Sequence, residues 1–239
     1  MKSKMTFNIL LLFIISCKIY ADVFPVDFIP ITKNVILHKS YEIVSGYKFP
    51  SNGLIIISKK SVVIVDTAWN DEETQQIFNY IKKMINKPIV ACIVTHFHQD
   101  RAGGIKNIVD NEIPIYMTEH TNKLLPSASK YFPYIKIASG PFSIDDIELE
   151  IEYLGPAHSP DNITIYYANE RIFFGGCLIK SIDSNNLGNL EDADIISWEK
   201  VIKRLMEKYD NANIVIPGHG DIGNQNLLKH TLSLLEEFD

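Results

Sequence analysis

The chain is poor in cysteine, in positive charge and in long apolar runs. Only three of its 239 residues are cysteines, too few for the disulfide framework of a small secreted domain. The formal net charge is −6 and no run of lysine and arginine exceeds two residues, so no basic surface for a nucleic acid is expected. With 46% hydrophobic and 22% charged residues, the composition is that of an ordinary globular protein.

An apolar stretch close to the N-terminus is too short to span a membrane. It runs from Phe7 to Ile15 and follows Lys2 and Lys4, which is the pattern of a secretory signal peptide. We predict cleavage after Ala21, so that residues 1–21 are removed on export to the periplasm.

The end of this stretch allows a second interpretation. Ile14 to Cys17 resembles a bacterial lipoprotein signal, and cleavage before Cys17 would leave a lipidated cysteine. The mature protein would then be held at a membrane, whereas ordinary cleavage releases it. A third interpretation is an ordered N-terminal helix. Residues 22–239 contain no long linker and are expected to form a single domain.

The mature sequence repeats one order of elements. In the first half, residues 53–66 predict a hairpin, a helix begins near Asp71 and a strand leads to His96. In the second half, residues 162–174 predict a hairpin, followed by a helix and a strand that leads to His219. Strands that alternate with amphipathic helices predict the α/β class. The repeat predicts two similar halves with functional residues where they meet.

His96, His98 and Asp100 are the most informative residues. Their spacing, directly after the apolar run 89–95, puts several metal-ligating side chains on one sharply turning segment. Three more residues of ligand type follow later strands: His158, Cys177 and His219. Each of these three, taken alone, is more often a turn or packing residue, but the first cluster makes all of them candidate ligands.

The six candidates together predict a site for two zinc ions. Zinc held by three histidines keeps an open position, and the pKa of a water bound there falls to about 7. The zinc-bound hydroxide is a hydrolytic nucleophile, so the ligand set predicts a hydrolase.

Five motifs, in this order, resemble the metallo-β-lactamase superfamily, and more narrowly the first subclass of class B β-lactamases, which uses a cysteine ligand. They are Thr95–Gly104, Gly155–Asn162, Gly175–Lys180, Leu187–Leu190 and Pro217–Gly220. Other members of the superfamily carry histidine where this chain has Arg101, and usually aspartate where it has Cys177.

The resemblance implies a fold and an assignment of the six ligands to two zinc ions. The fold is a four-layer αβ/βα sandwich with the metal site at one edge of its two sheets. By resemblance, the first zinc takes His96, His98 and His158, and the second takes Asp100, Cys177 and His219.

The resemblance also implies roles for residues that are not metal ligands. Lys180 is expected to bind the substrate carboxylate, and Asn189 to hold the lactam carbonyl as a catalytic residue beside Asp100; a solvated lysine and a turn-forming asparagine are the alternatives. Arg101 is expected to orient Asp100 and Cys177.

Four more residues lie around the expected site. Asp66 is either an acid that supports the ligands or a helix cap. Tyr47 and Phe49 are expected to cover the substrate from a mobile hairpin, and Trp69 either lines the pocket or belongs to the core.

We therefore expect an exported, monomeric zinc enzyme that hydrolyses penicillins, cephalosporins and carbapenems, with no protein or nucleic-acid partner. One alternative keeps the hydrolase fold but acts on thioesters or lactones. Another is a zinc-binding protein without catalysis. A di-iron oxidoreductase is disfavoured, because Cys177 does not suit a site of oxygen and nitrogen ligands and no flavin domain is present.

Overall fold

The structure is a computed structural model and describes residues 23–127, 129 and 132–238. The predicted signal peptide and Cys17 lie outside the described residues. Among the residues that are described, no helix is both long enough and apolar enough to cross a membrane.

The first sheet has seven strands in the described part of the chain, arranged in chain order from edge to edge. They are β1 (Asp27–Pro30), β2 (Val35–Val44), β3 (Tyr47–Ile57), β4 (Val62–Val65), β5 (Ile89–Ile93), β6 (Ile115–Met117) and β7 (Ile135–Lys136). Strands β1 to β4 pair antiparallel, and β4 to β7 pair parallel.

The second sheet has five strands in the same described part, in the order β12-β11-β10-β9-β8. They are β8 (Gly140–Ile144), β9 (Ile147–Glu152), β10 (Thr164–Tyr167), β11 (Ile172–Gly176) and β12 (Ile214–Pro217). Only the β11–β12 pair among these described strands is parallel.

Helices cover the outer face of each sheet. They are α1 (Asp71–Tyr80), which continues as a π-helical turn (Ile81–Ile85), α2 (Gln99–Ala102), α3 (Ile105–Asp110), α4 (Glu119–Leu124), α5 (Ile195–Lys208) and α6 (Asn226–Glu236). A 3₁₀ turn (Ala168–Glu170) connects β10 to β11.

Apolar side chains form three layers, because neighbouring residues on a strand point to opposite faces. Ile64 of β4 packs under α1, whereas Val63 packs between the two sheets. On β11, Phe174 faces the same space between the sheets, and Phe173 packs against Trp198 of α5. The described residues thus form the predicted α/β fold with four layers, helices outside and two sheets inside.

The predicted repeat is present in the topology. In the first half, the β3–β4 hairpin is followed by α1 and by β5, which is parallel to β4. In the second half, the β10–β11 hairpin is followed by α5 and by β12, which is parallel to β11. The ends of β5 and β12 lead into His96 and His219.

The long β2–β3 hairpin is not predicted by the sequence pattern. Residues 47–52 of β3 mix aromatic, proline and polar residues without the alternation that marks a half-buried strand. In this part of β3, Tyr47, Lys48 and Phe49 are exposed, and the buried residues Ser51 and Asn52 are polar, so no apolar face imposes alternation.

We predict that Asn70→Ala destabilises the fold by about 1 kcal/mol, because helix α1 loses its N-cap. Asn70 Oδ1 accepts a hydrogen bond of 2.8 Å from the backbone N–H of Glu73. Thermal unfolding of the purified protein measures the effect. Asn70→Asp keeps an acceptor at the same position and should unfold close to the native temperature; an equal loss for both variants would contradict the capping role.

Candidate metal centre

The structure brings all six candidate ligands to one edge of the two sheets. Each lies close to a strand in the sequence: His96, His98 and Asp100 after β5, His158 before β10, Cys177 after β11, and His219 after β12. Helix α2 begins directly after His98, so its first turn carries Asp100 and Arg101. Loops at strand ends hold functional groups in place because the sheets beneath them are rigid.

Three histidines form the first group of candidate ligands. His98 Nδ1 lies 3.2 Å from both His96 Nε2 and His158 Nε2. The other nitrogen of His98, Nε2, lies 2.9 Å from the Asp192 carboxylate, and an ionised carboxylate only accepts hydrogen bonds. A neutral His98 ring therefore has its proton on Nε2 and directs the Nδ1 lone pair at the other two rings. Converging nitrogen lone pairs of this kind fit a bound zinc ion.

Asp100, Cys177 and His219 form the second group. Cys177 Sγ lies 3.1 Å from Asp100 Oδ2 and 3.2 Å from His219 Nε2. His219 Nδ1 donates to the carbonyl oxygen of Pro50 at 2.6 Å, so the neutral ring directs its Nε2 lone pair at the group. His96 approaches the ligand atoms of Asp100 and Cys177 to within 4.8 Å. The two groups therefore adjoin, and sulfur, oxygen and nitrogen donors of this kind suit zinc.

Arg101 lies fully buried beneath the second group. Its Nη2 donates to Cys177 Sγ at 3.1 Å and to Gly218 O at 2.7 Å, its Nη1 donates to Asn52 O, and its Nε lies 2.9 Å from Asp100 Oδ2. Because Asn52 belongs to β3 and Gly218 follows β12, one guanidinium joins both sheets. The contacts with Asp100 and Cys177 are the two expected for Arg101; those with Asn52 and Gly218 were not predicted.

Asp66 supports the first group through an intermediate residue. Its carboxylate accepts hydrogen bonds from Thr95 N at 2.8 Å and Thr95 Oγ1 at 2.9 Å, and Thr95 Oγ1 lies 3.5 Å from His96 Nδ1. Burial raises the pKa of Asp66 to about 7, although Arg101 acts in the opposite direction. Asn70, and not Asp66, caps helix α1, so the alternative role as a helix cap is wrong.

The electrostatics of the site favour the protonation states that bind metal: neutral rings at three of the histidines and an ionised carboxylate at Asp100. Burial lowers the pKa of His96 and His158 well below the ordinary value and also lowers that of His219, so these rings are neutral. Burial acts to raise the pKa of Asp100, but Arg101 and His219 outweigh it and hold the pKa well below its usual range.

Cys177 differs from the other candidates. Burial raises the pKa of its thiol, while Arg101 and Lys180 act to lower it. Metal must therefore displace the thiol proton on binding, so the metal affinity of the second group falls as the pH falls.

The structure places the two candidate polar substrate contacts differently. Lys180 is only 7% exposed, and its Nζ lies 5.1 Å from the centroid of the Trp198 ring. Asn189 is exposed, and its Oδ1 accepts a hydrogen bond of 3.1 Å from the backbone of Glu191. The turn interaction named as the alternative for Asn189 is thus present, and within the described residues no candidate ligand hydrogen-bonds to it.

Two of the three predicted aromatic residues contact the metal centre. The ring centroids of Phe49 and Trp69 lie 4.6 Å and 6.4 Å from that of His219. Tyr47 is 78% exposed at the turn of the β2–β3 hairpin, where Ser45 and Gly46 have positive φ angles.

Sequence reasoning misses two contributors to the site. Asp192 holds His98, and the Pro50 carbonyl holds His219. A third histidine, His38, has no ligand spacing in the sequence; it is buried beside Gly53, with its Nε2 3.3 Å from Val65 O. No spacing rule connects these residues to their partners, since each contact joins distant segments.

Gly218 allows the chain after β12 to pass close to Cys177 in the second group. A Cβ built on Gly218 would lie 2.5 Å from Cys177 N and 2.7 Å from both Cys177 Cα and Sγ. Two of these three atoms belong to the backbone, so no side-chain rotation relieves the overlap. The glycine is required by this close approach.

Comparison with known proteins agrees with this geometry. The family model for the metallo-beta-lactamase superfamily matches residues 46–219. A metallo-beta-lactamase type 2 from Bacillus cereus is 35% identical over 207 residues, which cover 86% of this chain and 81% of the relative. This chain belongs to the metallo-beta-lactamase superfamily.

Solved metallo-beta-lactamase structures have the same fold. A metallo-beta-lactamase from Pontibacter korlensis matches with a TM-score of 0.85 and 38% identity, covering 88% of this chain and 99% of the other. The mono-zinc form of FIM-1 from Pseudomonas aeruginosa matches with a TM-score of 0.83 and 32% identity, covering 90% of this chain and 97% of the other. The family and fold that the five motifs predict are confirmed.

We predict that Gly218→Ala lowers the zinc content of this metallo-beta-lactamase, because the added methyl group displaces Cys177. The measurement is bound zinc per chain after dialysis, together with the unfolding temperature. Gly46→Ala is the control. A Cβ at Gly46 meets no atom within 4 Å, so there is no steric clash. Because Gly46 has a φ angle of +82°, the alanine costs only about 1 kcal/mol of backbone strain. Native zinc content in Gly218→Ala would contradict the steric argument.

Proposed function

We propose that the protein is a zinc-dependent hydrolase of the β-lactam amide bond, acting on penicillins, cephalosporins and carbapenems. The observation that carries this proposal is the pair of adjoining ligand groups, one of three histidines and one containing Cys177. The relatives described above are named metallo-beta-lactamases, which supports the same activity.

Two zinc ions fit the donor set. His96, His98 and His158 would hold one ion, and Asp100, Cys177 and His219 would hold the other. The convergence of lone pairs in each group supports both assignments, although the FIM-1 relative has been solved in a mono-zinc form. Bound zinc supplies Lewis acidity toward a carbonyl and lowers the pKa of a coordinated water to about 7.

Lys180 is proposed to bind the carboxylate of the substrate. Burial lowers the pKa of Lys180 to about 8, with Cys177 and Asp100 acting to raise it. The side chain therefore remains mostly protonated at pH 7 and presents a positive charge. A partly desolvated ammonium attracts a carboxylate more strongly than an exposed one.

Asn189 is proposed to hold the lactam carbonyl. Its Oδ1 is already occupied by the Glu191 backbone N–H, which fixes the side chain and turns the amide NH₂ group away from that contact. An NH₂ donor is what a developing negative charge on a carbonyl oxygen requires.

Apolar cover comes from the β2–β3 hairpin and from Trp69. Phe49 is 39% exposed while its ring lies beside His219, so part of its apolar surface remains available next to the metal centre. Tyr47, further along the hairpin, reaches a substrate only when the hairpin bends toward the site.

Export to the periplasm is proposed from the sequence of residues 1–21, with lipidation at Cys17 as the alternative route. Residues 22–239 are proposed to act as one domain and as a monomer.

We expect the purified protein to hydrolyse nitrocefin and imipenem, and to lose at least about 90% of this turnover after chelation, because the proposed zinc ions supply the nucleophile. Absorbance assays before and after dialysis against chelator measure the effect, and added zinc should restore the rate. Turnover of a thioester or lactone panel without β-lactam turnover would support the alternative hydrolase. Bound zinc without any turnover would support a binding protein.

Cys177→Ser should weaken the second zinc site far more than the first, because a neutral hydroxyl replaces a thiolate ligand. Zinc titration with a competing chelator measures the two affinities separately. Cys92→Ser is a matched control, since Cys92 is buried in the core away from the six candidate ligands. Equal loss at both sites would contradict the assignment of Cys177.

A further inference from the structure

The turn from Cys177 to Lys180 carries both a candidate ligand and the proposed carboxylate-binding group. Three hydrogen bonds fix its backbone. Ile179 N donates to Gly176 O at 3.1 Å, Trp198 Nε1 donates to Leu178 O at 2.9 Å, and Lys180 N donates to Thr231 Oγ1 at 2.9 Å. The acceptor of the last bond, Thr231, belongs to helix α6, which carries none of the six candidate metal ligands.

Thr231 is suited to accept the Lys180 amide. The residue is completely buried, and its hydroxyl donates to Leu227 O at 2.7 Å, one turn earlier in α6. Because the hydroxyl proton is committed to that carbonyl, a lone pair is directed at the Lys180 N–H. The hydroxyl thus serves as donor to its own helix and as acceptor for the turn.

The neighbouring residue of α6 holds the next part of the same loop. His230 Nε2 lies 2.7 Å from Ser184 O, to which it donates. Ser184 N in turn donates to Ser181 O at 3.0 Å. Two consecutive helical residues, His230 and Thr231, therefore fix the chain on both sides of Ser181.

The Lys180 side chain depends on this backbone anchor. Within the described residues, no hydrogen bond or ion pair reaches its Nζ, which lies above the Trp198 ring. The direction of the ammonium is therefore set by the position of the Lys180 backbone and by packing. A shift of the Lys180 backbone therefore moves the ammonium, since within the described residues no hydrogen bond or ion pair holds it in place.

We propose that Thr231, assisted by His230, is a positioning residue that holds the Lys180 ammonium where it meets the substrate carboxylate. The inference rests on the proposed function, because it takes Lys180 as the group that binds that carboxylate. Neither α6 residue touches the substrate or the metal. They act through the backbone of the turn.

The test compares two substrates and three variants. The substrates are a chromogenic cephalosporin with a free carboxylate and its methyl ester, which lacks the negative charge. Thr231→Val keeps the shape of the side chain but removes the acceptor, Thr231→Ser restores it, and Ser233→Ala removes an exposed hydroxyl from the same helix as a control.

For Thr231→Val we expect the KM of the free acid to rise about tenfold, because the buried Lys180 N–H loses its acceptor and the turn shifts. The kcat of the acid and the KM of the ester should change by less than about twofold. Thr231→Ser and Ser233→Ala should match the native protein. Zinc content should be native in all three variants.

His230 provides a second pair of variants that does not disturb the core. His230→Ala should raise the KM of the acid alone, and His230→Gln, whose amide can still donate to Ser184 O, should restore it. An equal loss on acid and ester, loss of zinc, or no change in any variant would overturn the inference. Absence of β-lactam turnover in the native protein would instead overturn the proposed function.

Discussion

A buried guanidinium connects the two halves of this molecule. Arg101 has no exposed surface, and it contacts Asp100 and Cys177 together with backbone carbonyls from both sheets. Burying a charge is costly unless the charge is paired and hydrogen-bonded, and here its partners are candidate metal ligands. The carboxylate, the thiol and the guanidinium therefore stabilise one another, and the second ligand group exists because this cation lies beneath it.

The two ligand groups are held by different means. In the histidine group, His98 is oriented by Asp192, which lies on a partly exposed loop, and His96 lies beside Thr95, which Asp66 holds in the interior. The second group is charged and fixed from below by Arg101 and by the close approach of Gly218 to Cys177. The first group thus depends in part on a peripheral loop, whereas the second is fixed from the interior of the sandwich.

Much of the centre could be predicted because its signals are local. The spacing of His96, His98 and Asp100 is visible within five residues, and the alternation of strands and helices indicates the fold class. Contacts between distant segments leave no such pattern: Asp192 follows His98 by 94 residues, and Thr231 follows Lys180 by 51. The β2–β3 hairpin was expected from the family resemblance alone, since residues 47–52 of β3 have no apolar buried face that would impose alternation.

Each ligand group draws residues from both halves of the chain. His96 and His98 follow β5 of the first sheet, whereas His158 lies between β9 and β10 of the second. In the other group, Asp100 comes from the first half and Cys177 and His219 from the second. Neither half can assemble a complete set of donors by itself. A complete set of three donors therefore forms when the two halves dock, and an ion held by all three stabilises the completed fold. Metal availability while the chain folds would therefore govern how much of the protein survives proteolysis, before any substrate is met.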